Sequence, residues 1–196
     1  CEEKMNILIT GAKGFIGREL EAYFGYKHKI YALGRQSLDL TKSNVVRKYF
    51  AENKIDIVMH TAVRGGRRNK QDSFNDMHDN LTMYRNLVEN SHEFGKLYNF
   101  SSGAEFDRSR PIELAEEKDL FLSAPSDFYG LSKNIIAREN LLNLDGGRNF
   151  RIFGCFGATE RADRFVRANI VRSETMQPMV IHQDRYIDYI YIADLL

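Results

Sequence analysis

No apolar run in the 196-residue sequence approaches the ~18 residues that would span a bilayer, and nothing at its start resembles the apolar core of a secretory signal. Neither sign of charge is in excess. Against 28 lysines and arginines stand 27 aspartates and glutamates, a formal charge of +1. No global field therefore points to nucleic acid or to a membrane surface. Cysteine is scarce: Cys1 and Cys155 are the two present, and neither sits in a metal-type spacing. A structural disulfide and a metal site are not expected, and the pattern suits a reducing cytosol. Internal repeats and low-complexity tracts are also lacking. What remains is a cytoplasmic chain long enough for one sizeable core and a small annex. It opens at Cys1 and reaches its first motif almost at once, and trimming at both ends is expected.

That first motif organises the rest. Met5 to Ile9 reads as a buried parallel strand, and it breaks into Gly11, Gly14 and Gly17, with a helix opening at about Phe15. Gly11 suits a tight turn, Gly14 lets backbone N–H groups approach a pyrophosphate, and Gly17 allows close helix–strand packing. Phosphates would then lie at a helix N-terminus, where unpaired donors and the helix dipole favour anions. The G-x-x-G-x-x-G spacing is one residue wider than the dehydrogenase fingerprint. Its place between an N-terminal strand and a helix makes nucleotide binding the stronger reading.

Apolar strands and helical stretches alternate after it, the pattern of a doubly wound parallel α/β sheet of Rossmann type, covered by helices on both faces. Expected helices run over Phe15–Phe24, Lys42–Glu52 with Ser43 as N-cap, Phe74–Phe94 stopped by Gly95, Tyr129–Leu142 and Arg164–Arg172. Strands are expected at Lys29–Leu33, Ile55–His60, Leu97–Phe100 and Phe150–Phe153, then near Met179–Ile181 and Asp188–Ile192. A long loop from 104 to about 127 carries Pro111, Pro125, Glu113, Glu116, Glu117 and Asp119, and loops of this length are usually functional. Where an NAD site would place an acid after the second strand stand Leu33, Gly34, Arg35 and Gln36. A cation there suits the 2′-phosphate of NADP, since guanidinium pairs bidentately with phosphate; a solvated loop arginine is the alternative. The basic stretch Arg64-Gly65-Gly66-Arg67-Arg68 is either an anion contact or a solvated turn.

Tyr129 and Lys133 stand four residues apart, on one face of a helix. A phenol of pKa about 10 is a poor acid or base at neutral pH, and a nearby ammonium moves it toward working range. Ser102, ending the preceding strand, supplies a hydroxyl at the sheet edge where ligands bind. The three together suit hydride transfer at a C–O centre.

Gly11/Gly14/Gly17, Ser101-Ser102 and Tyr129/Lys133 together resemble the extended short-chain dehydrogenase/reductases, and within them the NAD(P)-dependent sugar-nucleotide epimerase/dehydratase family. Further matches follow in order: His60-Thr61-Ala62, Asp79-Asn80-Leu81, Tyr129-Gly130-Leu131-Ser132-Lys133, Arg151 to Gly157, and Asp188 to Asp194. The resemblance implies a dinucleotide-binding domain over 1–153 and the start of a substrate-binding subdomain over 154–196, of which members normally have more. It makes Tyr129 the acid/base, gives Lys133 the tasks of lowering its pKa and holding the nicotinamide ribose, and has Ser102 orient the sugar oxygen. Cofactor contacts fall on Gly11, Lys13, Gly14, Phe15, Ile16 and Gly17. Arg35 follows after the second strand; Asp39 and Leu40 flank the adenine. Thr61, Ala62 (lining the cofactor channel) and Asn80 complete the set.

Departures from the family pattern narrow the reaction. Gly103-Ala104 replace the Asp-Glu pair of 4,6-dehydratases, with Glu105 one place along. Gly103 also replaces the cysteine of the fucose-synthase type, which the Arg64-Gly65-Gly66 loop resembles, and 155–175 hold no histidine for 3,5-epimerisation. Ile187 stands where the family's diphosphate arginine is usual, with Arg185 nearby. Arg161, Arg164, Arg167 and Arg172 are either part of a diphosphate clamp or solvated. Cys155 is read as a core-edge thiol and His60 as a packed strand end. The implied activity is NADP-dependent reduction of a 4-keto group on a nucleotide-linked deoxysugar. The alternatives are an NAD-retaining C4 epimerase and a non-catalytic dinucleotide-binding module. A homodimer joined through the 74–94 and 129–142 helices is expected, by the same resemblance.

Overall fold

A computed structural model describes residues 3–67, 70–109, 112, 114–143, 147–181, 184 and 186–196. Five parallel strands form the main sheet: β1 (Asn6–Thr10), β2 (Lys29–Leu33), β3 (Ile57–His60), β4 (Lys96–Phe100) and β5 (Gly147–Phe150). Their order is β2-β1-β3-β4-β5, so the chain winds one way from β1 and then back the other. The crevice between the ends of β1 and β3 is thus the topological switch point, where open α/β sheets place ligands. In register there, Thr10 lies opposite Leu33 on one side and His60 on the other.

Helices α1 (Phe15–Phe24), α2 (Ser43–Glu52), α3 (Phe74–Glu89) and α4 (Phe128–Asn143) cover this sheet. Strand side chains alternate between faces, and the core divides accordingly. Leu8, Val58 and Leu97 face Val46, Phe50, Tyr84, Leu87 and Ile136 from α2, α3 and α4. Ile7, Ile9, Ile57 and Met59 face Leu20 of α1, with Leu195 and Leu196 packed at the margin. Both faces of β1 and β3 are buried, which is why these strands read as continuous apolar runs.

Beyond the sheet, β6 (Gly154–Phe156) pairs in parallel with β7 (Tyr189–Tyr191), and α5 (Phe165–Glu174) and α6 (Ile192–Leu195) complete the described chain. No helix among the described residues is long and apolar enough to cross a membrane.

Several expected boundaries move, each for a local reason. Lys42, not Ser43, occupies the N-cap of α2, and no side chain caps it. The helix from Phe74 ends at Glu89: Asn90 turns its N–H to Leu87 and Val88 carbonyls and its amide to the Asn86 carbonyl at 2.7 Å. A 3-10 turn over Ser91–Glu93 follows, and Gly95 belongs to the entry of β4, donating to the Asp56 carbonyl at 3.0 Å. β5 lies three residues earlier than expected, pairing Gly147 to Phe150 with Leu97 to Phe100; past it, Ser101 and Gly103 still donate to the Phe150 and Ile152 carbonyls, at 2.8 and 3.0 Å. Met179–Ile181 forms no strand, since the Asn169 side chain takes both backbone groups of Val180, at 2.7 and 3.1 Å.

Candidate active site

The turn after β1 is built around glycine. Gly11 has φ +67°, and a Cβ there would stand 2.7 Å from the backbone N and Cα of Ala62. A Cβ on Gly17 would stand 2.7 Å from the Gly11 carbonyl oxygen, so α1 rides directly on the turn. Gly14 donates to that same oxygen at 2.8 Å and caps α1 with no side chain of its own. The first-turn N–H groups of Phe15 and Ile16 are thus left for an anion. Lys13 lies along Gly34, its stem 3.7 Å from where a Cβ would be, and with Ala12, Arg18, Ala32 and Ser37 it lines a groove of about 510 Å³.

Arg35 reaches this neighbourhood with a 61% exposed side chain, its Nε 3.5 Å from Asp39 Oδ2. Asp39 in turn accepts from the Thr41 hydroxyl at 2.7 Å and the Thr41 N–H at 3.1 Å. These bonds hold its carboxyl below the usual range, with Arg35 adding a smaller pull. Leu40 is a core residue whose carbonyl receives the Asn86 amide at 2.7 Å.

At the switch point Thr10 Oγ1 and His60 Nδ1 share a hydrogen bond of 2.8 Å, and Thr61 Oγ1 donates to the Thr10 carbonyl at 2.7 Å. His60 is fully enclosed, and burial, with Lys133 nearby, pushes its pKa down to about 3, so the ring is neutral. Asn80, 2% exposed, accepts from Arg64 N–H at 2.8 Å and donates to Arg64 O at 3.0 Å and Ser132 Oγ at 3.1 Å. Its amide is a staple between the β3 exit, α3 and α4.

Asp127 caps α4 by accepting from Gly130 N–H at 2.8 Å, and the helix presents Tyr129 toward Ser102. The Ser102 hydroxyl is near enough to the phenol to favour its ionisation, as do the positive charges of Arg108 and Arg164. Burial outweighs them, aided by Asp72, and raises the phenol above its ordinary pKa. Lys133, 5% exposed, donates to the Phe100 carbonyl at 3.0 Å. Its pKa is pushed down to about 8 by burial, against the pull of Glu105. Tyr129, Lys133 and Ser102 are brought together at the carboxyl end of β4, as their sequence positions suggest.

The residues that follow Ser102 are tightly packed or already bonded. Any Cβ on Gly103 would overlap the Phe153 ring. Glu105 is 0% exposed and accepts from Ser101 Oγ at 2.6 Å, from Asn149 Nδ2 at 3.3 Å and from Arg151 Nε. Arg151 continues to Glu117 at 2.8 Å and lies over the Phe106 ring. Sequence reasoning passed over this buried pair, because 46 residues separate its members and no local pattern links them.

Of the remaining candidates, Arg161 is paired with Asp163, and Arg167 donates to the Glu160 carbonyl. Arg164 Nε stands 3.9 Å from Glu160. Cys155 is buried and its thiol is pushed up to about 11, chiefly by burial, which suits a core-edge thiol and not a nucleophile. Arg68, Pro111, Glu113, Arg185 and Cys1 lie outside the described residues. Among the described residues no group of three or more His, Cys, Asp or Glu side chains is placed to hold a metal ion.

A family model described as the NAD dependent epimerase/dehydratase family matches residues 7–196. The chain belongs to that family. Solved structures agree on the fold. ADP-L-glycero-D-manno-heptose-6-epimerase of Helicobacter pylori superposes with TM-score 0.80 at 21% identity, over 98% of this chain and 71% of that one. A dTDP-4-dehydrorhamnose reductase of Clostridium acetobutylicum gives TM-score 0.70 at 25% identity, over 87% and 60%. GDP-mannoheptose C4 reductase of Campylobacter jejuni, with NADP bound, gives TM-score 0.71 at 23% identity, over 86% and 57%. The chain spans only 49% to 57% of the length of the Campylobacter enzymes it matches. No curated protein sequence matches it significantly.

Proposed function

We propose that this site reduces a 4-keto group on a nucleotide-linked deoxysugar, with NADPH as the reductant. The observation that carries the reading is the Ser102–Tyr129 hydroxyl pair at the end of β4, with Lys133 one helical turn along and the switch point beside it. The glycine turn fits a dinucleotide: Gly11 and Gly17 leave no room for side chains, and the first turn of α1 has no side-chain cap. That turn would hold the diphosphate, with Lys13 and Arg35 on the 2′-phosphate side, Ala62 lining the channel and Lys133 on the nicotinamide ribose. Bound NADPH would supply the hydride.

The chain's own work is then proton delivery and alignment. A phenol raised above its ordinary pKa is protonated at neutral pH, the state required of a general acid. Tyr129 gives that proton to the carbonyl oxygen as the carbonyl carbon is reduced, and Ser102 orients the oxygen. Arg108 and Arg164 favour the phenolate that remains. Closure of the 103–105 positions supports plain reduction over water elimination or 3,5-epimerisation. The reductase and NADP-bound relatives lend the same direction to substrate and cofactor class.

In the direct test, Tyr129→Phe lowers turnover of 4-keto sugar nucleotides by about 10²- to 10⁴-fold while NADPH still binds. Intact turnover in that variant would end the proposal. A second reading, an NAD-retaining C4 epimerase, is favoured by one contact: Asp39 already counters the Arg35 charge. Titration with NADPH and NADH, followed by fluorescence, separates the two. Preference for NADPH is expected, and preference for NADH, or NAD carried through purification, would favour the epimerase.

A further inference from the structure

Two consecutive residues at the exit of β3, Gly65 at φ +81° and Gly66 at φ +70°, take the left-handed conformation. Each answers to a different neighbour. A Cβ on Gly66 would stand 2.9 Å from both Cε2 and Cζ of Tyr129, so this stretch of backbone lies against the end of the ring that bears the hydroxyl. A Cβ on Gly65 would overlap the Asp72 carboxylate. Asp72 Oδ1 meanwhile accepts the Gly66 N–H at 2.9 Å. The upstream side of the turn is anchored independently. Arg64 is bonded through both backbone groups to Asn80, and its guanidinium meets Asp79 at 2.7 Å. Among the described residues, Asp72 is the side chain that ties the downstream side to the turn.

We propose that Asp72 is a positioning residue: through the Gly66 N–H it latches the Gly65–Gly66 turn onto the Tyr129 ring and fixes the phenol beside Ser102. Its catalytic consequence rests on the reading of Tyr129 as proton donor. A tyrosine ring turns about two side-chain bonds, and a donor displaced by about 1 Å can lose on the order of 10²-fold in rate. Glycine at 66 is needed because any larger residue would press on the ring. Glycine at 65 is needed because a larger residue would displace the latch. The paired glycines and Asp72 form one device, serving the phenol and not the dinucleotide turn after β1.

Nitration of Tyr129 by tetranitromethane, mapped by peptide mass, reads the latch with no substrate present. Asp72→Ala should speed modification of Tyr129 and lower kcat, each by about tenfold, with NADPH affinity within about twofold of the parent. Asp72→Asn keeps an oxygen that accepts the Gly66 N–H, and should restore both protection and kcat. If Asp72→Ala does not fold, Asp72→Glu, which moves the acceptor, is expected to show the same loss. Equal protection of Tyr129 in the parent and the folded latch-breaking variant would overturn the proposal. So would an Asp72→Asn variant as impaired as Asp72→Ala, which would make charge and not the hydrogen bond responsible. A parent protein that reduces no 4-keto sugar nucleotide would sink the functional reading alone, because nitration still decides the latch.

Discussion

His60, Lys133 and Tyr129 are three titratable side chains enclosed at one sheet edge, and burial acts on each in the direction of its neutral form. For His60 this has a consequence for folding. The ring holds no proton in the native state until the pH nears 3, whereas an unfolded histidine gains one below about 6.5. Unfolded chains therefore bind more protons between these values, and stability falls as pH drops through that window. Thermal melts from pH 7 to pH 4 should show this loss, and His60→Gln should flatten it. An equally steep acid limb in the variant would place the titration elsewhere. Lys133 acts in the same direction in a higher window: the penalty for burying its charge is full below about pH 8 and is relieved as the pH rises toward its ordinary value near 10.5.

A side-chain amide joins elements at this site that no backbone ladder links. Asn80 on α3 binds both backbone groups of Arg64 and reaches Ser132 on α4. Truncation would leave buried donors and acceptors without partners, which typically costs about 1–3 kcal/mol. Asn80→Ala should thus lower the urea midpoint without changing its slope, and a midpoint equal to the parent would show that the staple is dispensable. Asn169 plays a comparable part on α5, taking the Val180 backbone that would otherwise seek a strand partner. Helix ends show the same principle: Asn90 closes α3 ahead of Gly95, the glycine expected to stop it.

Across the whole molecule, the Glu105–Arg151 pair joins the exit of β4, the segment after β5 and the Glu117 turn. Removing one member of a buried ion pair is strongly destabilising, by about 3–5 kcal/mol, because the other charge is left unpaired. Glu105→Ala should therefore unfold at much lower urea than the parent. Replacing both members with apolar residues of similar volume should recover much of the loss. If the single variant matched the parent, the pair would not be what secures the turn bearing Ser102. This pair also explains why an acid so near the serines is unavailable for proton transfer: its oxygens are already taken by Ser101, Asn149 and Arg151.

Periodicity and local chemistry determined much of this protein before any tertiary contact was considered. β1 and α1 follow from an apolar run broken by glycines, since an unbroken apolar strand must be buried on both faces and Gly11 must adopt positive φ. Tyr129 and Lys133 could be paired because a helix places residues four apart on one face. Ser102 could be joined to them because parallel strands deliver their carboxyl ends to one edge. Tertiary structure decided what depends on distant segments meeting. It set the register of β5 against β4, placed Leu40 in the core and gave Arg35 a partner in Asp39. It made Glu105, one place along from the dehydratase pair, half of an ion pair, and a basic loop into the backbone that lies on Tyr129. No short-range pattern encodes such contacts, because their partners are brought together only when the sheet and its helices close around them.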